Sequence, residues 1–376
     1  MKKTILLLSV LILFSECKSY NDFMKIKKSY NINIADTLQD LRYLYGNINN
    51  SNVKLFFDTG ATKTVLYNLK NIGGESVLNK NNSSKVTARG ASHKVVITKY
   101  ITNSIRFNTF SSVFQPIFIA ENLIKNNCIN VPTSDGIFGF DAFSSSEEPL
   151  LIDYQKGLIS FTNQLEIKNE YLLIESSFDY NSISIYCYVN NQKEKFLFDT
   201  GADASILVKK TPEQAISVAE IQTLISTFSE SAFLETASFQ FFQKDKINIG
   251  GILIENPLIS KVSNINRNII GFNFIKNYSW IIDFKNEKLY AKKIKDFDFQ
   301  SLKENLKKPQ LKAISFDNKL LIGYKSTLVT KYKIGDQLTS INDQKVTPEN
   351  ICEMQDLLNK TGDWSVLKLE TTSFKN

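Results

Sequence analysis

Two aspartates are marked by what surrounds them. Asp58 is followed by Thr59, Gly60 and Ala61, and Asp199 by Thr200, Gly201 and Ala202, at an offset of 141 residues. Each closes an apolar run, Leu55-Phe56-Phe57 in one place and Phe196-Leu197-Phe198 in the other. A carboxylate at the edge of an apolar strand is costly unless the position is used. Glycine permits a tight turn and the close approach of another chain, and the threonine hydroxyl can bond to backbone and fix that turn. Two such carboxyls brought face to face do not both ionise readily, so one keeps its proton. The ionised member can then draw a proton from water while the protonated one polarises a carbonyl. That chemistry suits amide hydrolysis and needs no metal, cofactor or covalent intermediate.

The elements that must position these residues are themselves repeated. Residues 54–61 recur as 195–202, and strand-like residues 43–48 and 184–189 run into Asn49-Asn50 and Asn190-Asn191 at the same offset of 141. Each half is therefore expected to begin with a hairpin whose second strand delivers the Asp-Thr-Gly turn. Further on, Gly136-Ile137-Phe138-Gly139 is answered by Ile269-Ile270-Gly271, a pattern that suits a buried strand ending at a close backbone approach. Leu151-Ile152-Asp153-Tyr154 with 158–161 matches Ile281-Ile282-Asp283-Phe284 with 288–291, two hairpins with three-residue connections that close their halves. Asp153 and Asp283 read as hairpin residues. The expectation is an all-β body of two duplicated lobes, 30–165 and 170–295, with the site between them.

At these residues the chain resembles the aspartic peptidases, in particular the retropepsin-like branch in its fused, bilobal bacterial form. The resemblance covers about residues 30–295 and rests on the paired Asp-Thr-Gly-Ala with a downstream apolar-apolar-Gly in each half. It implies an aspartic endopeptidase active as a single chain on peptide or protein substrates. Asp58 and Asp199 would be catalytic, with Thr59, Gly60, Thr200 and Gly201 supporting the active-site turns. Ala61 and Ala202 match the retroviral-type motif and, with Asp203, are implied substrate-binding residues; Asp203 stands where that family has a side chain that holds substrate backbone, whereas the first half has Thr62. A flap hairpin is implied over 86–98 with Gly90 at its tip among the substrate-binding residues. The corresponding segment around 227–243 lacks glycine. Two other readings stay open: a catalytically silent binding or scaffold protein of the cell envelope, and a glycosidase using Asp58 and Asp199 as acid and base. The second gives no reason for Thr-Gly after each carboxylate.

Past a charged linker at 293–308 the pattern changes. The segment 332–342, with Gly335-Asp336 before a strand, is similar to the glycine-aspartate turn of PDZ domains. Leu320-Leu321-Ile322-Gly323 is a loose match to their carboxylate-binding loop. A helix fits 349–358, with Ile351, Met354, Leu357 and Leu358 on one face, and 364–371 fits a last strand. A small α+β PDZ-like domain over 308–376 is expected.

The chain has 376 residues, 43% hydrophobic and 22% charged, enough for an ordinary core in two or three domains. Its net charge of +7 is spread among Asn, Asp and Glu, so no basic stripe for nucleic acid is present. Residues 1–17 read as an export signal, Met1-Lys2-Lys3 before a short apolar run. Cys17 is either a lipidation site that tethers the chain to a membrane or part of a simple cleavage region. The mature chain is expected in the periplasm, on the membrane or outside the cell. Cys128, Cys187 and Cys352 are an odd number at wide spacing and indicate neither a disulfide framework nor a zinc site. The single histidine, His93, offers no serine or cysteine triad.

Overall fold

The structure is a computed structural model. It describes residues 32–33 and 42–373, apart from 68–71, 75–85, 90–93, 98, 104, 108–114, 121–127, 129–133, 143–147, 163–169, 180–181, 190–191, 227–233, 264, 309 and 362. Residues 1–17, read above as an export signal, and Gly90 and His93 lie outside the described residues. Strand accounts for 54% of the structure and helix for 12%, so the chain is all-β in class. Among the described residues no helix is long and apolar enough to cross a membrane.

In each half a hairpin delivers the aspartate, but it is not the first element as expected. Ile32–Asn33 precedes it in the first half, and Leu172–Ile174 and Ser176–Asp179 precede it in the second, each held by pairing with a strand that follows it in the chain. In the first half, Tyr43–Ile48 pairs antiparallel with Ser51–Asp58 through Asn49 and Asn50. Both asparagines have positive φ, 51° and 64°, the turn that matches the twist of a two-residue hairpin. The strand to Asp58 alternates, with Val53, Leu55 and Phe57 buried. In the second half Ser182–Val189 pairs with Gln192–Asp199, whose end is buried at Phe196, Leu197 and Phe198 in succession.

The aspartate strands then receive a parallel neighbour from far along the chain. Gly136–Gly139 lies beside Ser51–Asp58 with Gly139 opposite Asp58, and Asn268–Gly271 lies beside Gln192–Asp199 with Gly271 opposite Asp199. Each inserted strand also pairs antiparallel with a short strand just after the aspartate turn, Val65–Leu66 or Ile206–Val208. Outward from these come Gln115–Ile119 and Lys99–Asn103 in the first half, and Leu258–Val262, Leu234–Gln243 and Ile216–Ser226 in the second. The closing hairpins meet. Leu150–Asp153 pairs antiparallel with Tyr278–Asp283, so strands of both halves form one six-stranded sheet. Their connections span four residues, 154–157 and 284–287, one more than expected, because Gly157 and Glu287 turn with positive φ before the return strand. Asp153 accepts from the N–H groups of Gln155 and Lys156, and Asp283 from Asn286.

One core runs through both halves, with Phe57, Phe138, Phe140, Phe196, Phe198, Phe274 and Trp280 fully buried. Each such side chain contributes roughly 1.5–3 kcal/mol of transfer free energy. Trp280 packs edge-on against Phe198 at 4.8 Å and donates its indole N–H to Ile275 O.

The C-terminal segment has its own core of Ala313, Leu320, Ile322, Leu338, Ile351, Met354, Leu358 and Trp364. Its helix is Ile351–Lys360, shifted from 349–358, and Leu357 faces solvent. The last strand is only Leu369–Thr372, because Trp364–Val366 forms a 3-10 turn that buries Trp364. Leu320-Leu321-Ile322-Gly323 is no loop. It lies inside the strand Lys319–Ser326, with Leu320, Leu321 and Ile322 buried. The linker is occupied by a helix, Phe299–Leu306, whose Leu306 is buried beside Ile221 and Leu258. The cysteines also depart from expectation: Cys128 and Cys352 form a disulfide across 224 residues, while Cys187 is free and buried. A pairing at that separation leaves no local spacing to read.

Candidate active site

Each aspartate is held by its own turn. Gly60 N and Ala61 N donate to Asp58 Oδ1 at 2.8 and 3.1 Å, and Gly201 N and Ala202 N donate to Asp199 Oδ1 at 2.9 and 3.0 Å. Behind the turns, the glycine opposite each aspartate is required by space. A Cβ on Gly139 would sit 2.4 Å from the Lys63 carbonyl carbon, and one on Gly271 would sit 2.3 Å from Ala204 O. That closeness lets Phe140 N reach Ala61 O and Phe272 N reach Ala202 O, both at 2.8 Å, so inserted strand and turn are tied in each half.

The threonines join the two turns. Thr59 donates its hydroxyl to Phe198 O at 2.8 Å and its N–H to Thr200 Oγ1 at 3.0 Å. Thr200 answers with its hydroxyl to Phe57 O at 2.9 Å and its N–H to Thr59 Oγ1 at 3.0 Å. Both are buried, so the hydroxyls and N–H groups, costly to bury alone, all find partners across the joint, in the opposite threonine or the carbonyl that precedes the opposite aspartate. Across this joint the carboxyls meet. A Cβ on Gly60 would lie 2.5 Å from the Asp199 carboxyl carbon, and one on Gly201 would lie 2.4 Å from that of Asp58. Each glycine is thus the space into which the opposite carboxyl fits.

The chain matches no family model and no curated protein.

The Asp58 and Asp199 carboxyls interact directly across the two glycines. Burial pushes the Asp58 carboxyl above the usual carboxylate range, against the opposing effect of the N–H donors of its turn. Asp199 goes further up, first through burial and then through the negative charge of Asp58. Both carboxyls thus favour keeping a proton, and their ionisations belong to the pair. Among the described residues no group of three or more His, Cys, Asp or Glu side chains stands close enough to hold a metal ion.

Asp203 carries its side chain 81% exposed, and that carboxylate is ion-paired to Arg42 of the first half. The Arg42 guanidinium also lies over the rings of Phe56 and Phe272, at 5.3 and 4.9 Å from their centres. The matching first-half residue, Thr62, is exposed. Ala61 and Ala202 serve the site through their N–H groups. The strands Val86–Arg89 and Lys94–Ile97 form the hairpin expected in the first half.

Sequence reasoning passed over Arg42 and Asp141. Asp141 follows Gly139-Phe140 as Asn273 follows Gly271-Phe272, so the repeat itself was the signal. Its buried carboxylate accepts from Thr64 Oγ1 at 3.1 Å, Thr64 Oγ1 in turn accepts from Gly139 N at 3.2 Å, and Lys63 Nζ stands 3.9 Å away. Burial pushes Asp141 up to about 6, with Lys63 offsetting part of the effect. Arg42 immediately precedes the strand Tyr43–Ile48 and has no counterpart in the repeat.

Proposed function

We propose that this chain is an aspartic endopeptidase of the retropepsin-like kind, with two acid-protease-type lobes and a C-terminal PDZ-like domain. The observation that carries this reading is the reciprocal Thr59–Thr200 joint. It presents Asp58 and Asp199 to each other across Gly60 and Gly201 from two halves of one chain. One chain supplies both carboxyls, so no second copy is needed for the dyad.

In this mechanism the pair enters the cycle with one proton. The ionised carboxylate takes a proton from a water molecule held between the two acids, and the water oxygen bonds to the scissile carbonyl carbon. The carboxylic acid gives its proton to the carbonyl oxygen, which neutralises the charge that would otherwise develop there. The tetrahedral adduct then carries two hydroxyls. One returns its proton to a carboxylate as the C–N bond breaks, and the leaving nitrogen takes a proton from the other acid. The pair ends with the one proton it began with. The N–H donors at Gly60, Ala61, Gly201 and Ala202 hold the carboxyls in place throughout, which limits reorganisation.

The Cys128–Cys352 disulfide supports the export reading, since such bonds persist in oxidising compartments. The test is turnover of denatured casein by the purified mature protein across pH, with and without pepstatin. Acid-range cleavage that pepstatin blocks and Asp58→Asn abolishes is the expected result. Cleavage that survives Asp58→Asn would refute the assignment.

A further inference from the structure

The C-terminal segment is attached to both halves, at two separate places. Its strand Lys319–Ser326 pairs antiparallel with Ile216–Ser226 of the second half, placing Ile221, Gln222 and Thr223 opposite Ser326, Lys325 and Tyr324. Thr223 Oγ1 donates to Gly323 O at 3.0 Å, and Thr327 N donates to Glu220 O at 3.1 Å. Ile221, Leu258 and Leu306 form a small buried cluster under this seam, with Tyr324 packed on it. The second attachment is to the first half. Cys128 is bonded to Cys352 on the helix Ile351–Lys360, and its N–H donates to Ser315 Oγ on the neighbouring strand Leu311–Phe316.

That strand has an edge facing the helix, where an incoming peptide strand could otherwise pair. The helix fills it. Asn359 Oδ1 accepts from Ala313 N at 2.8 Å, Asn359 Nδ2 donates to Ala313 O at 3.1 Å, and Gln355 accepts from Ser315 N. Two side chains one helical turn apart thereby occupy the backbone groups of alternate strand residues, the set that points to one side.

From these contacts we infer that the face made by Leu311–Phe316 and Ile351–Lys360 is an intramolecular docking surface for the first half, anchored at Cys128. It is not a receptor for foreign strands. Together with the seam at 221–223 it makes the C-terminal segment a clamp across the two halves. What it restrains is the long second-half hairpin, Ile216–Ser226 with Leu234–Gln243. Its strand Leu234–Gln243 pairs with Leu258–Val262 as Lys99–Asn103 pairs with Gln115–Ile119 in the first half, so the hairpin stands where Val86–Arg89, Lys94–Ile97 and Lys99–Asn103 stand there. Two attachments on one rigid unit reinforce each other, because opening one leaves the other to hold its partner at high effective concentration. The clamp does not depend on the chemistry at Asp58 and Asp199.

A thiol reagent acts on it directly. Dithiothreitol gives up two electrons and two protons, the Sγ–Sγ bond of Cys128–Cys352 becomes two thiols, and the reagent closes to its cyclic disulfide. The experiment compares amide hydrogen exchange in the full chain, oxidised and dithiothreitol-treated, with Cys352→Ser as a second route to the same open state. Exchange in 218–226 and at Thr327 is expected to rise by about tenfold or more on opening the disulfide, while Tyr278–Asp283 stays unchanged. The reciprocal arm uses Thr223→Val, which removes the bond to Gly323. By linkage it should speed reduction of the disulfide by dithiothreitol, read as thiols alkylated over time. Unchanged exchange at the seam together with an unchanged reduction rate overturns the clamp. So does a rise of equal size at Tyr278–Asp283, which would mean general destabilisation. If Cys352→Ser does not fold, the dithiothreitol arm on the folded wild-type chain decides.

Discussion

At the aspartate turns, the floor of the site, the two halves make the same hydrogen bonds, whereas around them, at the rim, they differ residue by residue. Four N–H donors hold the carboxyls at 2.8 and 3.1 Å on one side and at 2.9 and 3.0 Å on the other. Around that floor, Thr62 stands in the repeat where the second half has Asp203, Asp141 answers Asn273, and Arg42 has no counterpart in the repeat. The hairpins diverge most. Val86–Arg89 and Lys94–Ile97 make a sheet of two strands, while Ile216–Ser226 and Leu234–Gln243 belong to a 15-stranded sheet that continues into the C-terminal segment. The geometry of the paired carboxyls tolerates little change, and the rim is where a duplicated site can become one-sided.

The sharpest way to break the symmetry of the floor is to neutralise one acid. Asp58→Asn and Asp199→Asn are each expected to lower kcat/KM for a casein-derived peptide by about 10³-fold or more, since neither carboxyl can fill the other's role. Comparable activity in either variant would show that one half dispenses with its acid. The same substitutions should raise thermal stability at pH 7. Both acids bind a proton more tightly in the folded protein than in the unfolded chain. Their ionisation therefore costs stability as pH rises above the unfolded value of about 4, and the gain should vanish at pH 3.

Cys352→Ser tests the covalent link that only the first half makes with the C-terminal segment. Loss of about 2–5 kcal/mol in urea unfolding is expected, because the bond closes a loop spanning 224 residues. A loss near zero would mean that the unfolded chain is not constrained by it. Asp141→Asn gives the first half the residue that the second already has. With the folded carboxyl at about 6, the penalty is absent below about pH 4, grows between pH 4 and 6 and is complete above. The variant should gain about 2–3 kcal/mol at pH 7 and nothing at pH 4, measured by denaturant titration at both.

Arg42→Gln removes the ion pair with Asp203 and the stacking on Phe56 and Phe272, at a cost of about 1 kcal/mol. If the charged rim holds substrate, KM should rise while kcat is retained. The smallest effect concerns the floor again. Ala61→Ser with Ala202→Ser adds a hydroxyl donor beside each carboxylate and should move the acidic limb of kcat/KM downward by about half a pH unit. A limb that does not move would assign the ionisation to the N–H donors already present.

The floor was legible because it is local: a hairpin, a strand ending in Asp-Thr-Gly, and the same spelling 141 residues later. What the inserted strand does was not. The parallel pairing of Gly139 with Asp58 and of Gly271 with Asp199 joins segments far apart in the chain, and sequence supplies only the glycine that such an approach demands. Arg42 with Asp203 and Cys128 with Cys352 were invisible for a related reason, since single long-range contacts carry no period. Leu320-Leu321-Ile322-Gly323 was misread because an apolar run ending in glycine fits a loop motif and a buried strand equally well. The burial of Leu320, Leu321 and Ile322 between neighbouring strands decides for the strand.

The threonine joint also sets an order of events for a chain made from its N-terminus. Thr59 is buried, yet its hydroxyl and its N–H find their partners only at Phe198 and Thr200, the latter 141 residues later. At roughly 5–20 residues per second, synthesis leaves about 7–28 s in which the first half exists without them. Leu150–Asp153, once made, waits longer still for Tyr278–Asp283 and meanwhile presents an open strand edge. The first half is thus completed by the second, and the nascent chain stays open to association until Tyr278–Asp283 has been made.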